Sequence, residues 1–306
     1  MKLGPALPAL FAAGLLAWTS PAGAYCRAKA CDRNPVYDDV WQEEPDPPCD
    51  RDGYGCQIEG PPLHWGQSCL SFTVQKDGSP LRGIDYATIH EIAVRAFSTW
   101  LGADCGEGAL PSFAISDFGA VECDVAQYNK VEPNANVIMF RDDGWDKNYD
   151  AFNTLALTTI SYNTETAEIY DADIEIDSAE WNFVARDMIE PDEVDLEAVV
   201  THEVGHFLGL SHSDNAAATM WANYQGGETQ QRTLHDDDMA GICEIYPPGR
   251  PVDTNHCEPR HGFSEECQDD VADSGCAIGT SQTRAGAWLG VLGALAAVGL
   301  ARRRRR

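Results

Sequence analysis

Apolar residues recur at helical spacing in three stretches of the chain and alternate with polar ones in several others. Between Asp85 and Trp100, the residues Ile89, Ile92, Ala93, Ala96, Phe97 and Trp100 fall on one face. That spacing predicts a helix with Asp85 as its N-cap and Gly102 past its end. A second helix is expected from Asp195 to Leu208, stopped by Gly209, and a third from Asp236 to Tyr246, ahead of Pro247-Pro248. Ser68–Gln75 alternates as a half-buried strand does, and Asp77-Gly78 supplies a turn after it. Phe113–Ile115 and Asn136–Phe140 read as short strands. Leu155–Tyr162 and Glu168–Ile176 read as longer ones, with Asn163-Thr164-Glu165 turning between them. Strands with one helix first and further helices afterwards predict an α+β domain over residues 62–247.

The flanks break these patterns. Residues 1–24 have the form of a secretory signal peptide: Lys2, an apolar run to Leu16, then Pro21-Ala22-Gly23-Ala24 ahead of Tyr25. Residues 25–61 are rich in Pro, Asp and Cys and are expected to be an irregular leader or short propeptide. Residues 248–275 read as a Cys-containing stalk, and 276–306 as an anchor or sorting segment. In that last part Ala285–Ala301 carries no charge and Arg302–Arg306 follows it, an arrangement suited to a short span with a cytoplasmic basic end. All 11 cysteines lie beyond Ala24, which fits an oxidising compartment and disulfides. The formal net charge of −28 argues against nucleic acid or an anionic membrane surface as a partner. Any membrane contact is therefore assigned to the C-terminal segment. So acidic a body is also compatible with bound Ca²⁺.

The chemistry is concentrated in Thr201–His212, whose sequence from His202 is HEVGHFLGLSH. Histidines at i and i+4 of a helix project from one face, one turn apart, so His202 and His206 can meet a single zinc. Gly209 would let the chain leave the helix through a backbone conformation that side chains disfavour, bringing His212 round as a third ligand. Three nitrogen ligands leave a position open for water, the arrangement of catalytic rather than structural zinc. Glu203 adjoins the first ligand and is positioned to act as the general base on that water.

This run matches the metzincin protease signature, and Met220, eight residues past His212, stands where a Met-turn is expected. The short interval and the ensuing Tyr224 resemble the matrixin (matrix metalloproteinase-like) branch. The resemblance implies a mixed twisted sheet with an active-site helix and a C-terminal helix. It implies a hydrophobic base at Met220, a specificity pocket walled in part by Tyr224, and an edge strand at Leu155-Ala156-Leu157 along which an extended polypeptide lies. Asp177 and Glu180 fall where matrixins place structural calcium ligands. Two positions depart from the pattern. Glu175 stands where matrixins carry a structural-zinc histidine, and no Pro-Arg-Cys-Gly latency motif is present. Cys26, Cys31, Cys49 and Cys56 are expected to be disulfide-paired rather than bound to the zinc.

Ser274-Gly-Cys276, the apolar run and the terminal arginines resemble the C-terminal sorting signals of myxobacterial surface proteins. That likeness implies delivery to the cell surface, and it sets Cys276 aside from disulfide pairing. The expectation is therefore an exported, monomeric zinc endopeptidase acting on protein or peptide, secreted or held at the cell surface. The alternative is a catalytically silent, zinc-containing surface-binding protein on the same fold.

Overall fold

In a computed structural model, which describes residues 25–30, 50–53, 56–144 and 154–267, the three expected helices form close to their predicted ends. Asp85 accepts from Thr88 N at 2.9 Å and starts α1, Tyr86–Leu101, whose six expected apolar residues are all buried. The second helix, α2 (Leu196–Phe207), is capped by the Asp195 carboxylate and buried on almost every side. The third, α3 (Asp236–Ile245), starts at a capping box in which the His235 ring and the Asp238 carboxylate each accept a backbone N–H.

Strands β1 (His64–Trp65), β2 (Cys69–Gln75), β3 (Ala114–Val121), β4 (Val137–Phe140), β5 (Ala156–Tyr162) and β6 (Glu168–Ile176) make one mixed sheet. β3, β2, β4 and β6 run parallel in that order, with β1 beside the start of β6. β5 turns back antiparallel along the other edge of β6, pairing Ala156 with Ile176 and Leu157 with Glu175. The far edge of β5 has no sheet partner among the described residues. The α+β reading is borne out.

β3 is longer than the apolar pattern suggested because its alternation is broken. Phe72 pairs with Asp117 but Val74 pairs with Ala120, a bulge that Gly119 accommodates at φ 81°. The short pair β7 (Phe183–Val184) and β8 (Val194–Asp195) and the 3-10 turn Gln230–Arg232 carried no periodic signal.

α1 and α2 pack together over the sheet, around Trp100, Phe97 and Phe207. Aromatic polar tips reach the carbonyls of α2. Trp100 Nε1 donates to Thr201 O at 2.8 Å, Trp65 Nε1 to Phe207 O at 2.8 Å, and Tyr246 Oη to Leu208 O at 3.0 Å. The last of these carbonyls would otherwise be left unpaired and buried at the helix end.

Two flanking segments are built into this core over their described residues. Leader residues Cys26, Ala28 and Ala30 are buried, and Cys26 is paired with Cys56. The expected stalk is no free spacer over its described part. Cys69–Cys257 and Cys123–Cys267 tie it to the sheet, and Phe263 packs edge-on against Phe118. Cys105–Cys243 joins the end of α1 to α3. No helix among the described residues is long and apolar enough to cross a membrane. The expected signal peptide and the segment 276–306 lie outside the described residues.

Candidate metal centre

α2 presents His202 and His206 one turn apart, and the chain doubles back after Leu208 to bring up His212. Gly209 makes that reversal at φ 102°, and a Cβ there would stand 3.0 Å from Leu63 O. Gly205, between the two histidines, is needed for a different reason. A Cβ on it would lie 2.2 Å from Met220 Sδ and 2.7 Å from Trp100, so only glycine lets Met220 pack directly under the helix.

The three imidazoles converge. Their ligand atoms all lie within 4.8 Å of one another, and no other group of three or more His, Cys, Asp or Glu among the described residues does so. His202 Nδ1 donates to Thr219 O at 2.7 Å and His206 Nδ1 to Leu210 O at 2.9 Å. A carbonyl can only accept, so both rings carry their proton on Nδ1 and leave Nε2 bare as a ligand atom. His206 Nε2 stands 3.2 Å from His212 Nε2. Two ligands on one tetrahedral zinc, at its usual bond lengths, would be about 3.3 Å apart. Burial first, and then the neighbouring His206, push the His202 imidazole down to about 3, so it is neutral as a ligand must be. The donor set fits zinc.

Glu203 lies beside this group, 6 % exposed, with its Oε2 accepting from Thr158 Oγ1 at 2.6 Å. Burial raises its carboxyl above the ordinary range. Thr158 belongs to β5, so the edge strand and the acid are directly joined. Met220 is 1 % exposed, and its N–H and that of Thr219 are both held by Asp238 of α3, at 3.0 and 2.7 Å.

Residues 127–247 match the matrixin family model. This stretch is a matrixin-like domain. It runs from just before β4 to the end of α3, while β1, β2 and β3 complete the same sheet upstream and α1 packs on it. The chain is 28 % identical over 191 residues to metalloendoproteinase 1-MMP of Arabidopsis thaliana, covering 60 % of this chain and 44 % of that protein. It is 45 % identical over 67 residues to human matrix metalloproteinase-16, covering 20 % and 11 %. Human neutrophil collagenase is 39 % identical over 72 residues, covering 21 % and 15 %. The chain thus spans less than half the length of these relatives.

Glu175, opposite Leu157 in the sheet, is held by Arg141, whose Nε donates to it at 2.7 Å. Arg141 and Glu175 thus form an ion pair between β4 and β6. Arg141→Met is expected to leave the zinc count at one per chain and to lower stability by about 2 kcal/mol. Metal analysis and thermal melts check this, and a second tightly held zinc in the wild-type chain would contradict it.

The other expected site residues are more scattered. Tyr224 is anchored at the start of α2, with Oη accepting from Asp195 N at 2.9 Å and donating to Glu228 O at 2.8 Å. That lies about 10 Å along the helix from His202. Leu157 is buried and Leu155 and Ala156 half-buried at the β5 end of the sheet. Asp177 is fully buried and Glu180 exposed, linked through Glu180 N donating to Asp177 Oδ1 at 3.2 Å. Thr158, Thr219 and Asp238 were missed. A threonine in an apolar strand reads as a strand former and an aspartate at a helix start as a cap, so neither carried a separate signal.

Proposed function

We propose that this chain is an exported, zinc-dependent endopeptidase that cuts extended polypeptide laid along β5. The convergence of three imidazoles beside the buried carboxylate of Glu203, at the open edge of a sheet, carries this reading. The chemistry zinc supplies when bound by His202, His206 and His212 is Lewis acidity, which polarises the scissile carbonyl and lowers the pKa of a coordinated water towards about 7.

Glu203 would take the proton of the water that attacks the carbonyl carbon, and would then pass it to the departing amine nitrogen. Thr158 fixes one carboxylate oxygen and leaves the other for the water. The edge of β5 that has no sheet partner among the described residues would offer backbone N–H and C=O groups to a substrate strand. Tyr224 and residues 155–157 are assigned to the walls of the substrate cleft. Four disulfides among the described residues support the export assignment.

Mass spectrometry of the early products from denatured casein tests the endopeptidase. Internal fragments are expected first; release of terminal residues alone, or no cleavage, would contradict the proposal. Thr158→Val is expected to cut kcat by about 10- to 100-fold, the size of one hydrogen bond to a charged group, with KM unchanged. Thr158→Ser restores the hydroxyl and should recover most of the rate. Equal losses in both would show that Thr158 acts only through packing.

Asp177 and Glu180 are proposed as ligands of a structural calcium. The supporting observation is that Asp177 Oδ2 is buried with no hydrogen-bond partner, which a cation would satisfy. Calcium at about 100 times its Kd contributes about 2.7 kcal/mol, a rise in Tm of about 5–10 °C. Asp177→Asn should abolish that rise; a calcium-independent Tm in the wild-type chain counts against the site.

A further inference from the structure

The leader strand Tyr25–Ala30 lies between two other segments of backbone. On one side Cys26 O accepts from Ser211 N at 2.9 Å and Ala28 N donates to Gly209 O at 3.1 Å, around the pairing of Arg27 with Leu210. On the other, Ala28 O accepts from Leu63 N at 2.7 Å and Ala30 N donates to Pro61 O at 2.9 Å. Arg27 reaches Leu63 O at 2.9 Å and pairs with Glu244 of α3, to which Tyr25 also bonds. A removable leader would lie on the surface, yet Cys26, Ala28 and Ala30 are 2 %, 0 % and 1 % exposed.

What this strand grips is the loop that carries the third zinc ligand. His202 and His206 each have a ring N–H fixed by a carbonyl. His212 has no such ring bond among the described residues. Its orientation therefore depends on its backbone, held at Ser211 by Cys26 and at Ser213, where N–H donates to Met220 O at 2.8 Å.

We propose that residues 26–30 are a permanent part of the metal centre, positioning His212 through Gly209 and Ser211, and are retained in the working protein rather than released. This rests on the zinc reading above. Losing a contact that orients a ligand typically lowers metal affinity 10- to 100-fold.

The test compares Ala28→Pro with Ala30→Pro in the full chain, secreted under oxidising conditions and loaded with zinc. Each change removes one backbone donor at an equally buried alanine, but only Ala28 bonds to the histidine loop. Ala28→Pro is expected to surrender zinc to a chelator about 10- to 100-fold faster than wild type, and Ala30→Pro at close to the wild-type rate even where their melting temperatures match. Equal rates in the two variants would overturn the proposal.

Should Ala28→Pro not fold, a processing-protease site placed between Glu59 and Pro61 gives a second arm. After cutting the folded, zinc-loaded protein, the leader fragment should either stay bound on gel filtration or take zinc retention with it when it leaves. A leader that departs while zinc is held as tightly as before overturns the assignment. A wild-type chain that binds no zinc would sink the zinc reading itself, and this proposal with it.

Discussion

Glu203→Gln is expected to abolish nearly all hydrolysis while leaving the protein folded and loaded with zinc. Positioned proton transfer contributes roughly 10²- to 10⁴-fold, and in the mechanism proposed above one carboxylate serves both the attacking water and the leaving amine. The loss should therefore reach the upper end of that range. Glutamine keeps the shape of the side chain and a carbonyl oxygen that can still accept from Thr158, which now bonds Glu203 at 2.6 Å. The three imidazoles, and the carbonyls that hold His202 and His206, are untouched, so zinc content and Tm should stay near wild type. Steady-state kinetics on a peptide, with KM and kcat separated, check this. Activity within a few-fold of wild type would remove Glu203 from its assigned role.

Asp238→Ala should have the largest effect on stability. The carboxylate is fully buried and accepts from three backbone donors: Thr219 N at 2.7 Å, His235 N at 2.8 Å and Met220 N at 3.0 Å. Alanine leaves all three N–H groups buried and unpaired at about 1–3 kcal/mol each, or roughly 3–6 kcal/mol together after partial relaxation. For a domain of this size that is a drop in Tm of about 10–20 °C. The damage should spread to the metal, because Thr219 O is the acceptor that orients His202. Melts of the zinc-free and zinc-loaded protein measure both effects. A shift of only a few degrees would mean that water or a neighbour replaces the carboxylate.

Features decided by near neighbours in sequence were legible before the fold was known. The apolar face of α1, the reversal at Gly209 and the i, i+4 pair His202 and His206 are all set within a turn or two. Glu175 also stood out, since a single position departed from an otherwise matching run. What escaped notice depends on long-range pairing. Thr158 reaches Glu203 only because β5 folds back beside α2, and Arg141 finds Glu175 only because β4 lies next to β6.

How the leader and the segment after α3 attach to the core was hidden for a related reason. Their Pro-, Asp- and Cys-rich composition is that of irregular chain, and irregular chain need not be loose. Cys69–Cys257 and Cys123–Cys267 staple the C-terminal segment to the sheet across separations of 188 and 144 residues. No local pattern encodes those pairings. The bulge at Gly119 likewise hid half of β3 behind a broken alternation.

In the proposed function one zinc, held by His202, His206 and His212, makes this chain a protease. The most direct test measures zinc content and hydrolysis of an unfolded protein on the same preparation, first stripped with a chelator and then titrated with zinc. No hydrolysis is expected without metal, followed by a linear return of activity that saturates at one zinc per chain. Hydrolysis that survives in zinc-free protein, or a fully loaded chain that leaves unfolded polypeptide intact, would contradict it.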